Sequence, residues 1–291
     1  MQILGGKMKI KKPFRYFGSK GRFYKEIKKI FGENKKENFV DLFAGAMEIP
    51  LNIKEDFGVN VILNVKDAAL ESLIEANKKE KVMELYKKIV KIIYGGEEIE
   101  NIRYVSINNK EKFNRLKENF SKIFKENILT KEEENIIILL CGFAGKTKSL
   151  NDSFYSKEKE KTLEEYLEKI RSLEITKNFF NEEWEYKNSF IFLDPPYINK
   201  TATKISKEKG YSYKKNTGVE WTEKDDLKLI NFIKNNLEKN NVFMIFGSLE
   251  NNLYNLIKEN FKTSKFEIMN YKKSLFGKVS ERAEWFCIIK Q

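Results

Sequence analysis

The sequence predicts an α/β protein built on a mainly parallel, doubly wound sheet. Short apolar runs of strand length recur along the chain, and stretches with helical spacing of apolar residues separate them. This alternation is typical of strand–helix–strand units, whose strands pair in parallel. With 291 residues, of which 41% are hydrophobic, the chain is long enough for one large domain that carries an insertion.

Four apolar runs predict the strands of the sheet. Residues 190–193 (FIFL) are followed by two prolines, which cannot continue a strand ladder, so Asp194 is expected at the carboxyl end of a strand. The other three runs are residues 38–43 (NFVDLF), 59–65 (VNVILNV) and 241–246 (NVFMIF). In such sheets ligands bind beyond the carboxyl ends of the strands, where the loops after Phe43 and Leu193 are expected to converge.

Further elements are predicted around these strands. Residues 68–76 and 227–237 have the apolar spacing of amphipathic helices. Residues 265–271 and 284–289 resemble a closing hairpin across a loop at residues 274–282.

The middle of the chain differs in character. It is charged and helical in pattern, with an apolar core element at residues 136–143. We therefore predict a mostly helical subdomain at residues 95–180, inserted into a main domain formed by residues 8–94 and 181–291.

Composition narrows the possible partners and chemistries. Lys and Arg number 55 against 43 Asp and Glu, a net charge of +12 that favours a polyanionic partner such as nucleic acid, although an AT-rich genome also enriches Lys. The absence of histidine excludes Ser-His-Asp and Cys-His catalysis, and with only Cys141 and Cys287 we expect neither a zinc site nor any other metal site. No apolar run reaches the roughly 18 residues of a membrane span. We expect a cytoplasmic protein with free thiols and no secretory leader.

The segment Asp194-Pro195-Pro196-Tyr197 carries the most specific chemistry. The amine of a nucleobase is a poor nucleophile because its lone pair is delocalised into the ring. A carboxylate and a backbone carbonyl that accept its two N–H groups free that lone pair, and proline fixes the turn that presents the carbonyl. Tyr197 offers a flat face on which an extruded base can stack. The competing interpretation is a polar turn that follows a buried strand.

Three segments resemble the Dam-like, alpha-ordered DNA adenine-N6 methyltransferases. FIFLDPPY is similar to their catalytic motif, and LDPPY rather than SPPY favours adenine N6 over cytosine N4. Residues 39–52 (FVDLFAGAMEIPLN) resemble the cofactor-binding strand and turn, and residues 13–22 (PFRYFGSKGR) resemble the amino-terminal motif. The resemblance implies a Rossmann-like methyltransferase fold, S-adenosylmethionine as cofactor, and Asp194, Pro195, Pro196 and Tyr197 as catalytic residues.

The resemblance also implies a cofactor site at the start of the chain and at the strand ends. Its members are Tyr16, Phe17, Gly18, Lys20, Asp41, Phe43, Gly45, Asn64 and Asp194. Three positions depart from the family pattern. Met47 replaces a second turn glycine, Asn64 stands where an acid holds the ribose, and Asn178 stands near a third expected acid. Asp67 follows Asn64 three positions later.

Contacts with DNA are predicted on three segments and, near the end of the chain, at Arg282 in the basic segment 271–282. Residues 104–114 and 139–155 resemble the DNA-contacting region of the family, and residues 199–218 interleave lysines with tyrosines. The candidate DNA-binding residues are Lys146, Lys148, Asn151, Lys204, Tyr211 and Arg282.

The sequence thus predicts a monomeric, site-specific methyltransferase of adenine N6 in duplex DNA, acting alone or beside a cognate restriction endonuclease. Two alternatives remain open at this stage. The same site can present a cytosine N4 amine or an RNA substrate. The substitutions at Met47, Asn64 and Asn178 are also compatible with a catalytically weak or inactive relative that binds DNA.

Overall fold

A computed structural model describes most of the chain. The described residues are 8–16, 18–142, 145, 147–196, 221–249, 252–262, 264–275 and 278–291.

Seven strands form one sheet in the order β3-β2-β1-β4-β5-β7-β6. Strands β1 to β5 run parallel, and β7 pairs antiparallel with both β5 and β6. The strands are β1 (Asn38–Asp41), β2 (Asn60–Asn64), β3 (Glu174–Thr176), β4 (Ser189–Leu193), β5 (Val242–Ser248), β6 (Lys265–Leu275) and β7 (Lys278–Ile289). The predicted mainly parallel, Rossmann-like α/β fold is confirmed.

Helices cover both faces of this sheet. They are α1 (Tyr24–Glu33), α2 (Glu48–Phe57), α3 (Ala68–Lys78), α4 (Lys81–Tyr94), α5 (Ile102–Asn108), α6 (Lys110–Lys125), α7 (Lys131–Cys141), α8 (Lys157–Arg171), α9 (Glu223–Leu237) and α10 (Leu253–Asn260), with a short 3₁₀ turn at Gly21–Phe23. Side chains of β4 alternate between two cores: Phe190 and Phe192 face the core of α1 to α8, whereas Ile191 and Leu193 face that of α9 and α10.

Local sequence explains where several helices begin. Asp67 accepts hydrogen bonds from the first backbone N–H groups of α3, and Thr130 with Glu133 forms a capping box at the start of α7. Met47 has φ +52° immediately before α2, so the position at which the family carries glycine has a left-handed backbone occupied here by a side chain.

The structure departs from the sequence prediction at the sheet edges. Strand β3 was not predicted; it lies inside the range 95–180 and joins the sheet by pairing with β2. The predicted loop at residues 274–282 was wrong, because β6 and β7 continue their pairing to Leu275 and Lys278. Helices α5 to α8 occupy the rest of the range 95–180, and α7 packs against α3 outside it. The division into two domains stays a prediction.

Strand register places two acidic residues at the carboxyl ends of neighbouring central strands. Asp41 of β1 pairs with Phe192 of β4, and Asp194 lies two residues farther along the same chain direction. Because β1 and β4 are parallel neighbours at the centre of the sheet, their carboxyl ends open onto a common site.

Candidate active site

Asp194 is held by a lysine from the start of the chain. Lys20 Nζ donates to Asp194 Oδ2 at 2.7 Å and lies 3.2 Å from the carbonyl oxygen of Gly18. The Lys20 side chain is only 4% exposed and that of Asp194 only 18%, so this charged hydrogen bond is shielded from water. Two motifs 174 residues apart thereby form one site.

Asp41 is buried beside this ion pair. Its Oδ1 accepts a hydrogen bond from the backbone N–H of Phe43 at 3.1 Å. Burial raises the pKa of Asp41 to about 8; the Phe43 hydrogen bond and the charge of Lys20 oppose that rise, and the charge of Asp194 adds to it. Asp41 is therefore mainly protonated near neutral pH and adds little negative charge to the site.

Glu284 is a site residue that the sequence analysis missed. It lies on β7 opposite Ser248 of β5, and its Oε2 is 3.6 Å from Lys20 Nζ. Oε2 is buried. One feature of the sequence could have indicated Glu284: it is the single acid in the otherwise apolar strand sequence EWFCII, in which successive side chains point to opposite faces of the sheet.

Tyr16 packs over the turn that follows β1. A Cβ on Gly45 would stand 2.7 Å from Cε1 of the Tyr16 ring, so the ring needs a glycine there. The Tyr16 hydroxyl donates to Asp67 Oδ2 at 3.2 Å. The amino-terminal motif, the turn and Asp67, which follows β2, thus adjoin one another.

Asn64 has all of its hydrogen-bonding capacity engaged within the protein. Its Oδ1 accepts from Thr176 Oγ1 and from the N–H of Asn178, both at 3.0 Å. Its Nδ2 donates to the carbonyl oxygens of Leu42, at 3.2 Å, and of Asn178, at 3.0 Å. A primary amide makes four hydrogen bonds at most. Asn64 therefore joins the ends of β1, β2 and β3, and we assign it a structural role in place of the predicted cofactor contact.

An aromatic cluster flanks the end of β1. The Phe43 ring lies 5.4 Å from Phe180 and 5.3 Å from Trp221 between centroids. Trp221 Nε1 donates to Asp226 Oδ1 at 2.9 Å, and burial raises the pKa of Asp226 to about 6. Phe43 was predicted as a cofactor-binding residue, and this cluster fixes its position.

The predicted DNA-contacting loop lies against the amino-terminal motif. A Cβ on Gly145 would stand 2.6 Å from the carbonyl oxygen of Arg15, which shows how closely the two segments pack. Lys148 is half exposed and pairs with Glu134 at 3.2 Å. Asn151, however, is buried, and its Oδ1 accepts hydrogen bonds from the N–H and hydroxyl of Ser153. Its side chain therefore stabilises the loop from within and is not presented to DNA.

Several predicted site residues lie outside the described residues. They are Phe17, Lys146, Tyr197, Lys204 and Tyr211, together with the side chain of Arg282 and the loop at residues 199–218. Pro195 and Pro196 are described and follow Asp194 directly, after the end of β4. Within the described part of the chain, no helix combines the length and apolarity needed to cross a bilayer.

Comparison with known proteins places the chain in a family. Residues 16–275 match the model of the D12 class N6 adenine-specific DNA methyltransferases. The match covers most of the chain, and the protein belongs to this family.

Two individual proteins are similar to parts or all of the chain. The modification methylase StsI of Streptococcus sanguinis is 23% identical over 253 residues, which are 80% of this chain and 34% of that protein. The chain therefore spans about a third of the length of this relative. A solved structure from Pyrococcus horikoshii, provisionally described as an RNA methyltransferase, aligns over 97% of this chain and 90% of its own with 9% identity and a TM-score of 0.41.

Proposed function

We propose that this protein is a site-specific methyltransferase that transfers a methyl group from S-adenosylmethionine to the N6 amine of a flipped adenine in duplex DNA. The observation that carries the proposal is the buried pairing of Asp194 with Lys20 at the carboxyl end of β4. This ion pair joins the DPPY segment to the amino-terminal motif, and the buried carboxyl of Asp41 lies beside it. The chain that carries this arrangement belongs to the N6-adenine methyltransferase family.

Asp194 and the Pro195 carbonyl are proposed to accept the two N–H groups of the adenine amine. That hydrogen bonding localises the nitrogen lone pair and directs it at the incoming methyl group. Methyl transfer would form the N–CH₃ bond at the expense of the bond to the sulfonium sulfur, which would keep the electron pair, and Asp194 would accept the proton that the amine loses. The path needs no covalent enzyme intermediate, and both cysteines are buried, with thiol pKa values raised by burial.

The residues at the sheet edge fit the proposed cofactor. The turn at residues 44–46 carries no side chain larger than a methyl group, which leaves its backbone open to close approach by a ligand. Tyr16 and Asp67 adjoin it on one side, and Asp41 and Phe43 on the other. S-adenosylmethionine supplies an activated methyl group on a sulfonium, and Tyr16, Gly18, Lys20, Asp41, Phe43 and Gly45 would hold it.

Duplex DNA is the proposed partner. The net charge of +12 favours a polyanion, and Lys148 presents a half-exposed ammonium on the loop beside Arg15. The range 95–180 is proposed as the target-recognition subdomain. We further propose that the protein acts beside a restriction endonuclease, which the similarity to a protein named as a modification methylase supports, and that it is cytoplasmic.

The decisive test is transfer of label to a defined nucleoside. Purified protein is incubated with methyl-labelled S-adenosylmethionine and mixed-sequence duplex DNA, which is then digested to nucleosides. We expect label in N6-methyladenine with the wild type, and its loss with Asp194→Ala.

Glu267→Gln is a matched control, because Glu267 is an exposed acid on the hairpin far from Asp194 in sequence. It should retain wild-type activity. Label in N4-methylcytosine would reassign the base. No label from a folded protein that binds DNA would favour the interpretation as a binding protein.

A further inference from the structure

Lys20 lies between two carboxylates, that of Asp194 directly after β4 and that of Glu284 on β7. Its Nζ is 2.7 Å from Asp194 Oδ2 and 3.6 Å from Glu284 Oε2. The first distance is a charge-assisted hydrogen bond, and the second is an ion pair without a hydrogen bond. Strand β5 separates β4 from β7 in the sheet, so Lys20 bridges two non-adjacent strands.

Because the ammonium group of Lys20 is buried, it needs an anionic partner at every stage of a reaction. The side chains of Lys20 and Glu284 are 4% and 14% exposed. A buried ammonium that loses its anion is strongly destabilised. If Asp194 moves toward a target amine, Lys20 needs a second anion within reach.

Among the described residues, the other groups shown near Lys20 are poorly suited to that role. The carbonyl oxygen of Gly18 and the Phe246 ring, whose centroid is 5.7 Å from Nζ, carry no net charge. Asp41 is close enough to interact electrostatically, but its raised pKa keeps it mainly protonated near pH 7. Glu284 lies within ion-pair distance and is fixed by the β5–β7 pairing.

We propose that Glu284 is a positioning residue for the methylation reaction: it draws Lys20 away from Asp194 when Asp194 accepts the target amine. This inference rests on the function proposed above. Lys20 both orients Asp194 and competes with the base for it. Glu284 relieves that competition by taking a share of the ammonium charge, so the Asp194 carboxylate keeps its strength as an acceptor.

The test is a double-mutant cycle measured on the full chain. It uses Glu284→Gln, Lys20→Met and the double variant, with Glu284→Asp as the conservative variant and Glu267→Gln as an exposed control. Glu284→Gln should lower kcat at least about tenfold while KM for DNA and the dissociation constant for S-adenosylmethionine stay within about twofold. Glu284→Asp, which keeps the charge, should recover part of that loss.

The coupling to Lys20 distinguishes positioning from general structural support. If Glu284 acts through Lys20, adding Glu284→Gln to Lys20→Met should lower kcat no further. The same cycle on the free energy of unfolding in urea, without cofactor or DNA, should show coupling between residues 20 and 284. If Glu284→Gln does not fold, both cycles can be run with Glu284→Asp.

Two results would overturn the inference about Glu284 alone. One is a wild-type kcat in Glu284→Gln; the other is that Glu284→Gln lowers kcat as much in the Lys20→Met background as in the wild type. A wild-type protein that methylates no nucleoside would overturn the proposed function as well. The two failures are therefore distinguishable by the activity of the wild type.

Discussion

Asn64 holds the backbone of Asn178 from both sides. Its Oδ1 accepts from the Asn178 N–H and its Nδ2 donates to the Asn178 carbonyl oxygen, each at 3.0 Å. A carboxylate in this place could accept but not donate. The asparagine that departs from the family pattern at the end of β2 therefore has a structural explanation.

Substitution of Asn64 by aspartate should destabilise the fold. The carbonyl oxygens of Leu42 and Asn178 would each lose their donor, and a buried unsatisfied group costs about 1–3 kcal/mol. Urea unfolding should show a loss of at least that size for Asn64→Asp. The exposed Asn60 on the same strand provides the control, and Asn60→Asp should change stability much less. Equal losses would contradict the structural role of Asn64.

Replacement of Gly45 by alanine should weaken cofactor binding. The added methyl group would stand 2.7 Å from Tyr16 Cε1 and displace the ring from the turn. We expect the affinity for S-adenosylmethionine, measured by calorimetry, to fall at least about tenfold, which corresponds to about 1.4 kcal/mol. Gly96→Ala controls for general destabilisation: a Cβ there meets nothing within 4 Å, but its φ of +85° strains alanine, so this variant should lose stability and keep its affinity for the cofactor. Unchanged affinity in Gly45→Ala would place the cofactor away from this turn.

The buried carboxyl of Asp41 should make stability depend on pH. Its pKa is about 8 in the folded protein, against an ordinary value of 3.8 for aspartate, so between these limits the folded state binds more protons than the unfolded state. Stability therefore falls as pH rises from about 4 to 8, and this contribution is constant outside that window. Asp41→Asn removes it. The stability of Asp41→Asn relative to wild type should therefore increase with pH across the window by a few kcal/mol, since one pKa unit is worth about 1.4 kcal/mol.

Urea unfolding of both proteins at several pH values measures this difference. Groups common to both proteins, such as Asp56 with its lowered pKa and Asp226 with its raised pKa, cancel in the comparison. A difference independent of pH would mean that Asp41 is ionised in the folded protein.

Lys148 should contribute to the salt dependence of DNA binding. If its half-exposed ammonium contacts one phosphate, Lys148→Ala should reduce the slope of log affinity against log salt by about 0.9. Lys161→Ala is the control, because Lys161 is 77% exposed on α8 and pairs only loosely with Glu165 at 3.9 Å. Fluorescence anisotropy with duplex DNA at several salt concentrations measures both slopes. Equal slopes in both variants would exclude Lys148 from the phosphate contacts.

The sequence predicted the strands that are strongly apolar and missed the one that is not. Strands β1, β2, β4 and β5 are runs of buried residues bounded by turn signals, which periodicity detects directly. The segment Glu174–Thr176 has three residues and two exposed positions, so its strand conformation depends on pairing with β2.

The same limit applies to the site. Asp194, Asp41 and Lys20 were found because each stands in a motif, but their contact depends on tertiary structure. Glu284 lies in no motif, and only the β5–β7 register brings it to Lys20. Conversely, Asn64 and Asn151 were predicted from their places in segments that resemble the family, and only the structure shows that the amide of Asn64 and the Oδ1 of Asn151 are used internally.

The two central strands are neighbours in space but distant in the chain. Asn38 of β1 pairs with Ser189 of β4, a separation of 151 residues, and helices α2 to α8 lie between them. Loop closure over such a distance is slow, whereas helices form from local contacts. During synthesis from the amino terminus, the helical segment can fold before β4 has left the ribosome. We therefore expect the carboxyl end of β4, which leads to Asp194, to be among the last parts of the molecule to assemble.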